Sequence, residues 1–488
     1  MYLNYLANIS RYIPELLLVV LMVGLILIET TYEENDKNKK YIFIASIVGL
    51  VATFVSLVVN LSGKSEAIFN NSMIIDPFST IMKMIMVVGT LGAYYLSTIS
   101  KDIYETLKTE FIVMAVGILI GGFILASANN MLMFFIGIET LSIISYVMAS
   151  LKKNDERSSE AGLKYSLYGG ISSGLMLFGM SHMFGVLGTI QFGGMAANIA
   201  KLDQTQIIIL MPSFILFFAG IGYKIAAVPF HMWSPDVYEG SPTPVTTFFA
   251  IVPKLAGIAG LIRITMIFFS TPGPLRVGWI GLMMVIAALT MTVGNISAIG
   301  QKSVKRMLAY SSISHAGVML AGLVMVNEIG IRAVVFYGIT YLFMTLVAFY
   351  ITNIVQDKYG NDHFDRFQGL IYRYPFMAVM MTVTMLSLTG LPPLAGFIGK
   401  YNIIVALLNS NNFTLAIILV LNSIVSAYYY LKIVRLMTLK TQESNEEIEG
   451  FGFLNQLIIV AMTAPIFILG IFWENIMAFA GSAKIFIQ

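Results

Sequence analysis

GYKIAAVPFHMWSPDVYEGSPTPVTTFFAIVPK, residues 222–254, decides the fold class. The apolar run feeding it starts near Gln206, so the stretch to Glu239 far exceeds the about 20 residues that cross a bilayer as one helix. Pro229 and Pro235 interrupt the helical hydrogen-bond ladder in its middle. Inside a bilayer, non-helical backbone persists only where protein or a water-filled cavity covers it, and helices broken in this way mark transport sites. Lys224 lies just before the break and Lys254 after it, both in apolar surroundings. An ionisable group near the midplane costs roughly 2.5–3.5 kcal/mol on insertion scales, which makes function its default explanation.

A second long segment, from about Arg373 to Leu408, contains GLPPLAGFIGK (390–400), where Gly390, Pro392 and Pro393 break the helix near Lys400. A fourth intramembrane charge, Glu139, sits in FFIGIETLSIISY (134–146). Burial disfavours a charge and an opposite charge nearby restores it, so these four groups form a set suited to exchanging protons. Transfer of H+ across a membrane is the first functional expectation.

Composition agrees with a polytopic membrane protein: 57% of residues are hydrophobic, only 11% are charged, and mean hydropathy is +0.82. There is no cysteine, which excludes cysteine-ligated iron–sulfur clusters, thiolate zinc sites and disulfides within the chain. The four histidines, His182, His231, His315 and His363, are scattered. Neither a Gly-rich dinucleotide fingerprint nor a phosphate-binding loop is present, and nothing points to nucleic acid. The chain itself is expected to carry no cofactor and no metal. Its first apolar stretch lacks a basic leader and a small-residue cleavage site and reads as a retained span.

Hydropathy divides the chain into about 14 transmembrane helices, beginning near Tyr12, Tyr41, Phe78, Glu110, Asn129, Glu160, Gln206, Thr243, Gly273, Lys302, Glu328, Arg373, Phe413 and Phe451. Lysine and arginine concentrate in the loops after odd-numbered spans, roughly 17 against roughly 6 in the others, which places those loops in the cytoplasm and both termini outside. The broken helices are spans seven and twelve. Their separation by five predicts two five-helix units, and an odd number of spans per unit makes the second an inverted copy of the first. The expectation is an all-α polytopic membrane protein with two inverted five-helix repeats and two broken helices. Its parts are an N-terminal three-helix region (1–109), a first unit (110–270), a second unit (273–437) and a C-terminal helix (438–488).

The quoted strings 222–254 and 390–400 resemble the antiporter-like membrane subunits of respiratory complex I, the NADH-quinone oxidoreductase (NDH-1), over essentially the whole chain. PDVYEGSPTPV (235–245) is similar to the subunit N branch, and a lysine at 400 together with an end soon after the fourteenth span sets the chain apart from the other two branches. The resemblance implies a translocase subunit in which Glu139 modulates Lys224, Lys254 is central and Lys400 marks the second broken helix. His231 and Lys164 match further positions of the family pattern. It also implies that FMN, iron–sulfur clusters and quinone belong to partner subunits, that the partners are other membrane-arm subunits and lipid, and that the location is a bacterial plasma (inner) membrane. The alternatives are a subunit of a multisubunit cation/proton antiporter or membrane-bound hydrogenase, a ferredoxin-linked variant of the quinone-reducing complex, and a scaffold whose buried charges only hold helices together.

Other charges have plainer readings. Lys83, a few residues into its span, is expected to snorkel to the interface, and Arg263 to anchor a span end there. Glu160 and Lys164 have the i,i+4 spacing of a local ion pair. Glu15, after Pro14, suits the first turn of a helix, and Asp76, before Pro77, suits an N-cap. His315, in LAYSSISHAGV (308–318), is balanced between a hydrogen-bonded side chain and an extension of the proton path.

Overall fold

The computed structural model describes residues 9–31, 36–440 and 452–486; the Lys37 side chain and most of the acidic loop before Phe451 lie outside them. The chain is built almost wholly of helices. Twelve of those described are long and apolar enough to cross a membrane. They are α1 (Ile13–Thr31), α2 (Asp36–Leu61), α3 (Pro77–Ile99), α4 (Lys108–Ser127), α5 (Met131–Ala149), α6 (Glu156–Leu187), α8 (Gln204–Ile225), α10 (Thr243–Phe269), α11 (Pro274–Ile299), α13 (Glu328–Tyr359), α17 (Phe413–Leu439) and α18 (Phe453–Ile471).

Two further crossings complete the fourteen. The helix α12 (Val304–Leu323) is lowered in hydropathy by Lys305, Arg306 and three serines, and it is surrounded by protein. The other is the broken pair α15 (Pro375–Thr389) and α16 (Ala395–Asn409). Short helices α7 (Phe192–Ile199), α9 (Trp233–Gly240), α14 (Leu370–Arg373) and α19 (Trp473–Gly481) fill connections. The reading by hydropathy contains no strand, yet β1 (Glu66–Ile68) and β2 (Met73–Ile75) form a small antiparallel hairpin between α2 and α3. Its turn carries Phe69, Asn70 and Asn71 in left-handed conformations, with φ of 51°, 54° and 62°, which asparagine tolerates.

The two five-helix units correspond residue by residue, although no repeat is visible when the two sequences are simply compared. The same helix pairs touch in both: α4 with α5, α6 with α8 and α4 with α10 in the first, against α11 with α12, α13 with α15 and α11 with α17 in the second. Asn130 and Ser303 cap α5 and α12 through their side chains. Around each cap the same exchange of backbone bonds occurs, Met131 N to Ile190 O and Phe192 N to Asn129 O, against Val304 N to Asp362 O and Phe364 N to Lys302 O. The helices α6 and α13 are both 32 residues long, start after Asp155 and Asn327 caps, and end on left-handed Gly188 (φ 68°) and Gly360 (φ 72°). Where α4 crosses α5 a Cβ on Gly121 would lie 2.7 Å from the Leu141 amide nitrogen, and where α11 crosses α12 one on Gly294 would lie 2.7 Å from that of Ser314. Capping, register and close approach are thus shared, while side-chain identity has diverged.

The breaks also match. The first half of one crossing, α8, closes on left-handed Ala226 (φ 58°), with Ala226 N bonded to Tyr223 O and Ala227 N to Gly222 O. The other, α15, closes on Gly390 (φ 94°), with Gly390 N bonded to Ser387 O and Leu391 N to Leu386 O. A left-handed residue at this place satisfies carbonyls that a helix end leaves open, which is how a helix can stop inside apolar surroundings.

Candidate functional site: a polar line through both units

Lys224 is fully buried in the last turn of α8. Its Nζ donates to the Tyr165 hydroxyl at 3.1 Å, and its stem packs beside Gly257 on α10. Tyr165 stacks on Trp233 of α9 at 4.2 Å, and the indole N–H bonds back to Tyr223 O at 2.9 Å. Glu139 is only half-buried, on the flank of α5, and accepts a hydrogen bond from the Ser173 hydroxyl of α6. No direct ion pair joins it to Lys224 among the described residues. Glu139 is therefore less enclosed by this chain than the three lysines.

Lys254 follows Pro253 on α10, a helix buried along its whole length. Its Nζ donates to Ser312 O at 2.7 Å and Ser312 Oγ at 2.8 Å. By the register of the repeat, Ser312 on α12 stands where Glu139 stands on α5. One turn further along α12, His315 bridges two tyrosines, with Nδ1 2.6 Å from the Tyr337 hydroxyl and Nε2 3.0 Å from that of Tyr430. The Tyr430 hydroxyl also bonds Ser311. His315 lies one turn beyond Ser312, which holds Lys254, and its partner Tyr337 packs against Gly399, the residue before Lys400. Tyr337 is the repeat counterpart of Tyr165, so each unit has a tyrosine hydroxyl bonded to a basic group of the line.

Lys400, on α16, turns its ammonium onto the end of α15 and donates to Leu388 O at 3.0 Å and Thr389 O at 2.9 Å. These carbonyls carry the negative end of a helix dipole, which favours a cation there. Of the two remaining family-pattern positions, His231 is half-buried in the first break and its Nδ1 has no partner among the described residues. Lys164 is 37% exposed and pairs with Glu160 and Asp236, each at 2.7 Å. The i,i+4 pair is present, and Asp236 is the partner that spacing alone does not reveal.

Two side chains read as interfacial are buried. Lys83 is 2% exposed and pairs with fully buried Glu15 at 2.5 Å, which ties α3 to α1. Arg263 has no exposure and bonds both oxygens of Asp76 at 3.0 and 3.1 Å and Ala126 O at 3.0 Å. Asp76 caps α3 in a capping box as the sequence indicates, and it also receives Phe486 N near the end of the chain. Snorkelling fails for both cations because an acid on another helix stands within reach, a pairing that no window of single-sequence hydropathy can display.

Comparison with known proteins adds a name to this geometry. The family model described as NADH:quinone oxidoreductase/Mrp antiporter, TM, matches residues 128–426. NADH-quinone oxidoreductase subunit N 2 of Sorangium cellulosum is 36% identical, covering 98% of this chain and 97% of the relative. Subunit N of Methylobacterium nodulans is 36% identical, covering 96% of both chains. Among solved structures, a chain of respiratory complex I from Thermus thermophilus superposes with a TM-score of 0.80 at 28% identity, covering 96% of this chain and 99% of that one. A chain of the Mrp complex from Dietzia sp. shares the fold, with a TM-score of 0.83 at 19% identity, covering 97% of each. With matches of this extent behind it, the chain belongs to the NADH:quinone oxidoreductase/Mrp antiporter membrane family, among its subunit N members.

Proposed function

We propose that this chain is a proton-translocating membrane-arm subunit of an NADH:quinone oxidoreductase, and that Glu139, Lys224, Lys254 and Lys400 carry or modulate the proton. The reading rests on its subunit N relatives and on one observation above all, the series of buried basic groups Lys224, Lys254, His315 and Lys400, each bonded to a hydroxyl or a carbonyl of the chain. Lysine suits this work because its ammonium can release a proton once its surroundings change, whereas arginine does not deprotonate in proteins. Glu139 acts on Lys224 from the flank. Lys254 receives the proton, His315 with Tyr337 and Tyr430 spans the gap, and Lys400 passes it on. His231 and Lys164 stand beside the first break in supporting places.

The same proposal covers the wider arrangement. The chain divides into 1–109, 110–270, 273–437 and 438–488, and the redox chemistry, with FMN, iron–sulfur clusters and quinone, lies in partner subunits. The absence of cysteine supports that division of labour. On this reading the protein resides in a bacterial inner membrane, and its lysine and arginine distribution supports an orientation with both termini outside. Replacement of Lys254 by alanine in the assembled complex tests the relay: coupled proton pumping falls by about a hundredfold or more, the scale of losing one positioned proton carrier. Unchanged pumping overturns the assignment.

A further inference from the structure

One group of charges outside the relay joins the two units. Arg306, in the first turn of α12 in the second unit, reaches α9, the short helix that follows the break in the first unit. Its Nη1 lies 2.9 Å from Asp236 Oδ1 and 2.5 Å from Glu239 Oε2. Lys164 of α6 holds the other Asp236 oxygen at 2.7 Å. Asp236 is therefore gripped from both units. Adjacent Lys305 is buried and donates to Ser241 O, the residue closing α9, at 2.9 Å. On the opposite flank Gly240 sits so close to α6 that a Cβ there would lie 2.5 Å from Arg157 O. Lys164, Asp236, Glu239 and Arg306 line a cavity of about 230 Å³.

The helix held in this way is the one that positions Lys224. Trp233, one turn before Asp236 on α9, forms the floor under Tyr165 and bonds Tyr223 O, and Tyr165 holds the Lys224 ammonium. The line of contact from Arg306 to Lys224 is thus one rigid eight-residue helix and one aromatic stack. Rigid elements of this kind pass a displacement from one site to another when they have two discrete arrangements.

We propose that Asp236, Glu239 and Arg306, with Lys164, form an inter-unit charge latch that positions Lys224 from the second unit. These are positioning residues, and Asp236 is shared between a cation of each unit so that strengthening either pair weakens the other. The proposal rests on the relay reading, because it assigns the latch a task only if Lys224 carries protons.

The test uses the assembled complex in proteoliposomes, reading proton pumping and NADH:quinone turnover beside complex content. Asp236→Asn and Arg306→Glu are each expected to lower pumping at least about fivefold in complexes that still assemble. Asp236→Glu should recover more than half, because it restores the charge to both cations. The charge swap Arg306→Glu with Glu239→Arg should pump better than Arg306→Glu alone, an outcome that loss of packing does not produce. Wild-type pumping in both single variants, or a swap no better than Arg306→Glu, overturns the latch. Lys254→Ala run in parallel separates the two ideas: its loss of pumping beside intact latch variants overturns the latch alone, and wild-type pumping in Lys254→Ala overturns the relay and the latch with it.

Discussion

Lys400 occupies in the second broken helix the place that Asp236 occupies in the first: each is the tenth residue beyond the left-handed residue that closes the preceding half-helix, Gly390 or Ala226. The two charges point oppositely for a physical reason. A cation at this place is drawn to the open carbonyls of the half-helix before it, and Lys400 bonds two of them. An anion is repelled from the same carbonyls, and Asp236 turns away to Lys164 and Arg306. Lys224, in turn, corresponds to Leu388. One scaffold thus carries its basic group before the break in one unit and after it in the other.

Replacing Lys400 by arginine exploits that difference. A guanidinium keeps the charge and still bonds the Leu388 and Thr389 carbonyls, so the complex is expected to assemble and retain its melting temperature within a few degrees. It cannot give up its proton. Pumping should therefore fall nearly as far in Lys400→Arg as in Lys400→Ala, and an arginine variant that pumps like wild type removes Lys400 from the relay.

His315 is expected to behave as a carrier and its two tyrosines as helpers. His315→Ala deletes the group bonded to both tyrosines and should depress pumping by about a hundredfold, the low end of the usual range for a proton-transfer group. Tyr337→Phe and Tyr430→Phe each remove one hydroxyl and leave the imidazole, so smaller losses are expected. Equal pumping in His315→Ala and wild type limits His315 to a structural hydrogen bond.

Much of this was legible in the sequence because the bilayer forces it to be. A charge among apolar residues is costly enough that Glu139, Lys224, Lys254 and Lys400 can be found by inspection, and prolines and glycines announce both breaks. What depends on two distant residues was not legible. Lys83 and Arg263 read as interfacial because their acids, Glu15 and Asp76, lie on or just before other helices, 68 and 187 residues away. The repeat was hidden because backbone capping and close helix crossings survive exchange of Asn130 for Ser303 or Asp155 for Asn327, whereas matching of letters does not. His315 was undecided for the same reason: Tyr337 and Tyr430 reach it from α13 and α17.

Asp102, in the loop between α3 and α4, offers a test outside the membrane. Burial by itself raises its pKa, but the Lys305 and Lys152 ammoniums, with the Thr243 N–H, overcome this and hold it below the ordinary 3.8. Gln356 Nε2 adds a bond at 3.0 Å, so the N-terminal region and both five-helix units meet at one carboxylate. A depressed folded-state pKa gives stabilisation that is present above the unfolded value and lost as pH falls through the folded one. Between pH 8 and 5 its contribution is therefore constant. Asp102→Asn should lower stability by about 3 kcal/mol, as expected when one partner of a buried pair is removed. Thermal melts of the purified complex should show the same deficit at pH 8 and pH 5; a deficit that vanishes by pH 5 contradicts the assignment.

The Glu15–Lys83 pair allows a sharper distinction between a charge kept for stability and one kept for specificity. Both side chains are removed from solvent, Glu15 Oε2 has no partner among the described residues, and the Lys83 ammonium sits 5.5 Å from the centre of the Phe123 ring. Desolvating two charges costs several kcal/mol each, and their attraction repays this only when the remaining donors and acceptors are satisfied. Here one carboxylate oxygen is not. Lys83→Met alone should cost about 3–5 kcal/mol because it strands the carboxylate, whereas Lys83→Met with Glu15→Leu should be neutral or stabilising. The pair then serves to fix the docking of α1 on α3. If the double variant is as unstable as the single one, the pair is a net source of stability. If it melts normally but loses proton pumping, Glu15 and Lys83 belong with the functional charges.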